Sequence, residues 1–143
     1  MISETRAYLK SIIRSIDSDL KENRSVFYDN DIGETLLDRS YQIELNTVSN
    51  LERDDHFLDT LDAQIIIFGI GKNRDDQLEN YDDLLDKAVC IRDSIIDLKN
   101  FKQQNNIIDI VSSAVVAEQL PDNDNSFRIN INLTLSLAYS RGE

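Results

Sequence analysis

A chain of 143 residues, 41% hydrophobic and 29% charged, is long enough to bury a core and has the make-up of an ordinary soluble protein. With no Pro/Gly/Ser-rich linker, residues 1–143 read as a single domain. Fifteen Lys and Arg against 27 Asp and Glu give a formal charge of −12, with the bases scattered. That excludes the basic stripe a phosphate backbone demands, though not a role in which DNA slides past without adhering.

The first helix is predicted from Ile2, Thr5, Leu9, Ile12, Ile13, Ile16 and Leu20, which share a stripe roughly 100° wide, with Ser3 as N-cap. The opening residues, with acidic Glu4 and no small-residue cleavage site, predict no signal peptide. Residues 25–39 hold no sustained period and predict a packed loop or short helical turn. Tyr41, Ile43, Leu45 and Thr47 alternate with Gln42, Glu44 and Asn46 as a half-buried strand does. Asn50 to Asp59 is acidic and reads as a long loop. The run from Leu61 to Phe68 begins alternating and ends continuously apolar, which predicts a buried second strand.

The chain turns at Gly69-Ile70-Gly71 into the longest predicted helix, Arg74 to Phe101, with Asn73 as cap and acids in its first half. Its apolar residues, from Leu78 through Tyr81, Leu84, Leu85, Ala88 and Val89 to Leu98, cover about half the circumference. Such a helix should touch two surfaces: the sheet plus the first helix, or the sheet plus a neighbouring subunit. Ile107 to Val116 is β-branched and apolar, a third strand, and 118–126 is turn chemistry. Phe127, Ile129, Ile131, Leu133, Leu135, Leu137 and Tyr139 then alternate without a break with Arg128, Asn130, Asn132, Thr134, Ser136 and Ala138. At ~3.4 Å per residue that strand would run ~44 Å, against a usual ~17–20 Å. The expected fold is α+β in α-β-β-α-β-β order. It has a mainly antiparallel four-stranded sheet, helices packed on one face and a long C-terminal β-hairpin.

Motifs for chemistry are sparse. His56, the only histidine, stands beside Asp54, Asp55 and Asp59 in the predicted loop, with no spacing to aim three ligands at a metal or a base at a nucleophile. Cys90, the only cysteine, permits no intrachain disulfide, fits a reducing compartment and lies on the polar side of its helix. Gly69-Ile-Gly71-Lys72 hints at a phosphate loop, but Ile66, Asn73 and Arg74 stand where the Walker or dinucleotide patterns need other residues. Asp75 and Asp76 would also repel a phosphate there. The pairs Asp54-Asp55, Asp75-Asp76 and Asp82-Asp83 read as solvated charge. The expectation is no catalytic residue, no metal, no cofactor and no enzyme. No apolar run approaches the ~20 residues of a membrane span.

The order of parts has a familiar look. An amphipathic helix leads to DTLDAQIIIFGIGKNRDD, then to LENYDDLLDKAVCIRDSIIDL, and finally to IIDIVSSAVVAEQLPDNDNSFRININLTLSLAYS. This resembles the tail terminator (tail completion, or tail-to-head joining) proteins of long-tailed bacteriophages, over about Met1 to Ser140. The resemblance implies a virion protein of the tail or neck, assembled in the host cytoplasm. It implies a hexameric ring of identical copies that caps the tail-tube protein, ends polymerisation and meets a head connector or head-closure protein. DNA would pass through without specific binding. Asp54, Asp55 and Phe57 of the acidic loop, Asp122 and Asp124 of the last turn, and Arg128, Asn130, Asn132 and Thr134 are then candidate contacts, the last three giving a wet, uncharged wall. The alternatives are another neck or tail part, such as a head-closure or tail-tube subunit, and a ferredoxin-like ligand-binding regulatory domain.

Overall fold

The computed structural model of the chain describes residues 2–22, 38–53, 56–70, 74–102, 107–119 and 126–138. In chain order these form α1 (Ile2–Ile16), β1 (Lys21–Glu22), β2 (Ser40–Arg53), β3 (His56–Ile70), α2 (Arg74–Ile96), α3 (Leu98–Phe101), β4 (Ile107–Gln119) and β5 (Ser126–Ala138). The expected four-stranded, mainly antiparallel sheet is overturned. Among the described residues the sheet has five strands in the order β1-β2-β3-β5-β4, it is mixed, and three helices accompany it. The added strand pairs Lys21 and Glu22 in parallel with Ser40 and Tyr41. Two charged residues carry no apolar period, so nothing in the sequence marks them as a strand.

Two further boundaries shift for physical reasons. The single helix expected over Arg74 to Phe101 breaks at Asp97, whose backbone is extended (φ −64°, ψ 122°) and whose side chain accepts from the Lys99 amide to cap α3. The loop expected over Asn50 to Asp59 is mostly strand: Asn50 pairs with Asp59, Leu51 with Leu58, Glu52 with Phe57 and Arg53 with His56. Its apolar members, Leu51, Phe57 and Leu58, do not alternate and stand among charged residues, so the stretch looks like a loop.

β5 lies between β3 and β4 and antiparallel to both, with Ile131 opposite Ile65 on one side and Val115 on the other. Phe127, Ile129, Ile131, Leu133, Leu135 and Leu137 are all buried, together with Leu61, Ala63, Ile65 and Ile67 of β3 and Tyr41 and Ile43 of β2. Onto this face α1 lays Leu9, Ile12 and Ile13, and α2 lays Leu84, Ala88, Ile91 and Ile95. Each such Leu or Ile contributes about 1.5–3 kcal/mol by leaving water. α2 touches β3, β4 and β5 and also α1, so its broad apolar face is used on the sheet and the first helix. Leu78, counted on that face by periodicity, is 59% exposed.

Two local irregularities bear on the surfaces. Leu45 pairs with Ala63 and Thr47 with Asp62, which leaves Asn46 as a bulge in β2. β4 slips twice, between Ile107 and Asp109 and between Ile110 and Ser112, and then runs in regular register to Gln119.

Candidate functional site

Strand alternation sends Gln42, Glu44 and Asn46 of β2, Asp62, Gln64, Ile66 and Phe68 of β3, Arg128 to Ser136 (even positions) of β5, and Ala114 and Val116 of β4 to the face away from the helices. Rows across the sheet run Gln42–Ile66–Asn130–Val116 and Glu44–Gln64–Asn132–Ala114, with Asp62 opposite Thr134 beyond. One half of this face is closed: Gln42, Ile66, Phe68 and Asn130 are buried. There Gln42 Nε2 donates to Glu44 Oε1 at 2.8 Å, while the Gln42 Oε1 acceptor is buried without a hydrogen-bond partner.

The stretch around Asp62, Gln64, Asn132 and Thr134 is more open and polar, with Ser136 beyond it buried again. Gln64 Nε2 donates to Asn132 Oδ1 at 3.0 Å, and Thr134 Oγ1 donates to Asp62 Oδ1 at 3.1 Å. These cross-strand bonds fix the amides and the carboxylate around a shallow depression of about 320 Å³, lined also by Asn46 and the small Ala114. Such an array offers donors and acceptors to water or to another polar surface. Among the described residues no group of three His, Cys, Asp or Glu could hold a metal.

The structure therefore brings Asn130, Asn132 and Thr134 onto one face, as their alternation requires. Arg128 lies on the same face, half-buried, opposite Phe68. Phe57 is a strand residue of β3 paired with Glu52, not a loop residue. Asp54, Asp55, Asp122 and Asp124 lie outside the described residues. Asp62, Gln64, Asn46 and Ala114 were not singled out in the sequence. The signal for three of them was present, since Asn46 belongs to the alternation of residues 41–47, and Asp62 and Gln64 are the polar members of the one that contains Leu61, Ala63 and Ile65.

A second polar cluster joins distant parts of the chain at the other end of the sheet. Arg39 takes the left-handed backbone region at φ 56°, which costs a non-glycine residue of order 1 kcal/mol. Its guanidinium donates to Asn80 Oδ1 at 2.9 Å and Asp83 Oδ2 at 2.8 Å, and lies 3.5 Å from Asp17. Lys87 bridges Asp17 and Asp83. Asp38 Oδ1 accepts from the Ile70 amide and from Asn80 Nδ2. The hydrogen bond from Lys87 holds the Asp17 carboxyl below its ordinary range, and the bond from Arg39 does the same for Asp83. Lys87 is raised in turn, chiefly by its bond to Asp17. Asp17 is nearly buried, with 8% of its side chain exposed, whereas Asp83 is 49% exposed. The cluster staples the end of α1 and the start of β2 to α2. Its groups pair with one another.

Fold and site together define an α+β domain with helices on one side of a mixed sheet and a polar, partly open face on the other. No protein-family model matches the sequence, and no curated protein matches it. Among the described residues no helix is long and apolar enough to cross a membrane.

Proposed function

We propose that the chain is a structural subunit of a bacteriophage virion, one of a ring of identical copies that caps the tail tube, ends its polymerisation and offers the surface to which the head connector joins. It works by contact, with no reaction and no cofactor, in the tail or neck of a particle assembled in the host cytoplasm. The observation that carries the reading is the open half of the sheet: Asn46, Gln64, Asn132 and Thr134 with the carboxylates Glu44 and Asp62 and no cation among them. A wall of amides and hydroxyls stays wet, and its carboxylates, on a chain of net charge −12, repel phosphate. DNA passing such a wall gains no counterion release and does not stick. The β2–β3 pair runs on to Arg53–His56, beyond the last described β3–β5 pair at Leu58–Ala138, which suits a part that meets a neighbour there.

The test is made on particles. Phage produced without this chain should carry tails of uncontrolled length that fail to join heads, as seen by negative-stain microscopy. Tails of normal length, joined to filled heads, would overturn the proposal.

A further inference from the structure

One flank of α2 is left half-exposed. The buried line of this helix is Leu84, Ala88, Ile91 and Ile95. At about 100° per residue, Leu78, Leu85, Val89 and Ile96 share an arc of about 40°, turned roughly 110° from that line. Steps of seven, four and seven residues are those of a seam along which one helix packs on another. Leu78 is 59% and Ile96 37% exposed, with Leu85 and Val89 half-buried between them. Asn80, Asp83 and Lys87, which meet Arg39 and Asp17, stand on the opposite flank, so the seam points away from α1. Since α1 packs on β2 and α2 on β3, β5 and β4, the seam overhangs β4, the last strand beyond β5 among the described residues. Ser113, Val115 and Ala117 of β4 are on the helix side, opposite buried Leu133, Ile131 and Ile129, yet are themselves only half-buried. The seam and this strand form the two walls of an apolar groove.

Charge names the occupant. Asp75, Asp82 and Asp86 follow the seam on its solvent side, and all three are exposed. Among the described residues none of them is ion-paired, whereas Asp83 on the other flank is held by Arg39 and Lys87. Arg92, at the seam's other border, is taken by Asp93. We infer that the groove takes a basic amphipathic helix of a partner protein. Its apolar residues would lie along the seam and over Val115, with Lys or Arg against Asp75, Asp82 and Asp86. Nucleic acid, an anionic membrane and a second copy of a chain of net charge −12 all meet those acids with the wrong sign. The seam's spacing selects a helix over an extended strand. From Leu78 to Ile96 it runs ~27 Å, about five turns. This flank lies across the sheet from the polar face that carries the ring reading, so either reading can fail alone.

The experiment uses the intact chain and a designed probe of roughly three heptads, an amphipathic helix with Leu at the a and d positions and Lys on its flanks. The controls are the same composition in scrambled order and the same helix with Glu for Lys. Binding is read by fluorescence anisotropy across a salt series and located by hydrogen–deuterium exchange. The expected result is saturable binding of the ordered Lys helix alone, with slower exchange in residues 75–96 and 113–117. Leu78→Ser, at an exposed position, should weaken it at least about fivefold. Asp82→Lys with Asp86→Lys leaves Asp17, Arg39, Asp83 and Lys87 in place and should transfer binding to the Glu helix. Both variants should keep the circular dichroism of the wild type. Equal binding of the scrambled peptide, protection confined to other segments, or undiminished binding by Leu78→Ser would each overturn the inference. So would a double variant that still prefers the Lys helix, no saturable binding up to roughly millimolar, or a dimer of the chain that protects this flank.

Discussion

Gly69 and Phe127 face each other across the β3–β5 ladder. A Cβ on Gly69 would overlap the Phe127 ring, which is buried and meets Tyr81 edge-on at 5.3 Å and 68°. The ring takes the volume the glycine leaves. Gly69→Ala should therefore cost about 1–3 kcal/mol through overpacking, read as a lower urea midpoint with an unchanged slope. Tyr8 offers a second residue-scale test. Its hydroxyl donates to the Ile95 carbonyl at 2.9 Å, tying α1 to the end of α2, and burial pushes its pKa up to about 12. The neutral phenol is the form the fold holds. Stability from this group is full below the ordinary value of 10.0 and lost as pH rises through about 12. Tyr8→Phe should cost about 1 kcal/mol at neutral pH and remove part of the alkaline loss, as urea melts at a series of pH values would show.

At the scale of elements, the staple of Asp17, Arg39, Asp83 and Lys87 sets an acid limit. Unfolded carboxyls take up protons near 3.8, while folded Asp17 and Asp83 hold out to lower pH. The unfolded chain then binds more protons in that window, so stability falls as pH drops below about 4. Lys87 acts at the opposite end: its contribution is complete below 10.5 and lost as pH climbs through its raised value. Asp17→Asn should cost roughly 1 kcal/mol at neutral pH, discounted for the partial exposure of Lys87, and should flatten the acid limb of the urea midpoint. This cluster could not be seen in the sequence, where Asp83 was one of a run of helix acids and Arg39 closed a region without period. Ion pairs across such separations leave no periodic trace. What alternates was legible: β5, its pairing with β4, the buried face of β3 and the apolar stripe of α1. What does not alternate was not. β1 is two charged residues, the outer parts of β2 and β3 are charged, and the break at Asp97 depends on a cap that resembles any surface acid.

At the scale of the whole molecule, the candidate face was half legible. The polar members of β5 were readable, but their companions Asp62, Gln64 and Asn46 needed the strand order to bring them alongside. If that face borders a passage for DNA, charge is the property that matters. Gln64→Lys with Asn132→Lys places two cations opposite each other on the open surface, which removes their mutual hydrogen bond and should cost about 1 kcal/mol. Virions carrying both should nevertheless release DNA more slowly, and more so at low salt. Release kinetics indistinguishable from wild type would remove this face from the passage.

The bulge at Asn46 has a consequence for chain length. Because Leu45 and Thr47 already pair with the consecutive residues Ala63 and Asp62, excising Asn46 alone closes the gap without moving any later rung of the ladder. Excising Asn132 from β5 instead, where the β3–β5 ladder has no bulge to take up the loss, would slide every residue of the strand before or after it onto the wrong side of the sheet. The first shortened chain should fold and melt cooperatively; the second should not accumulate as a native species. A single address along β2 thus tolerates a missing codon, and descendants of this protein could lose one there without losing the sheet.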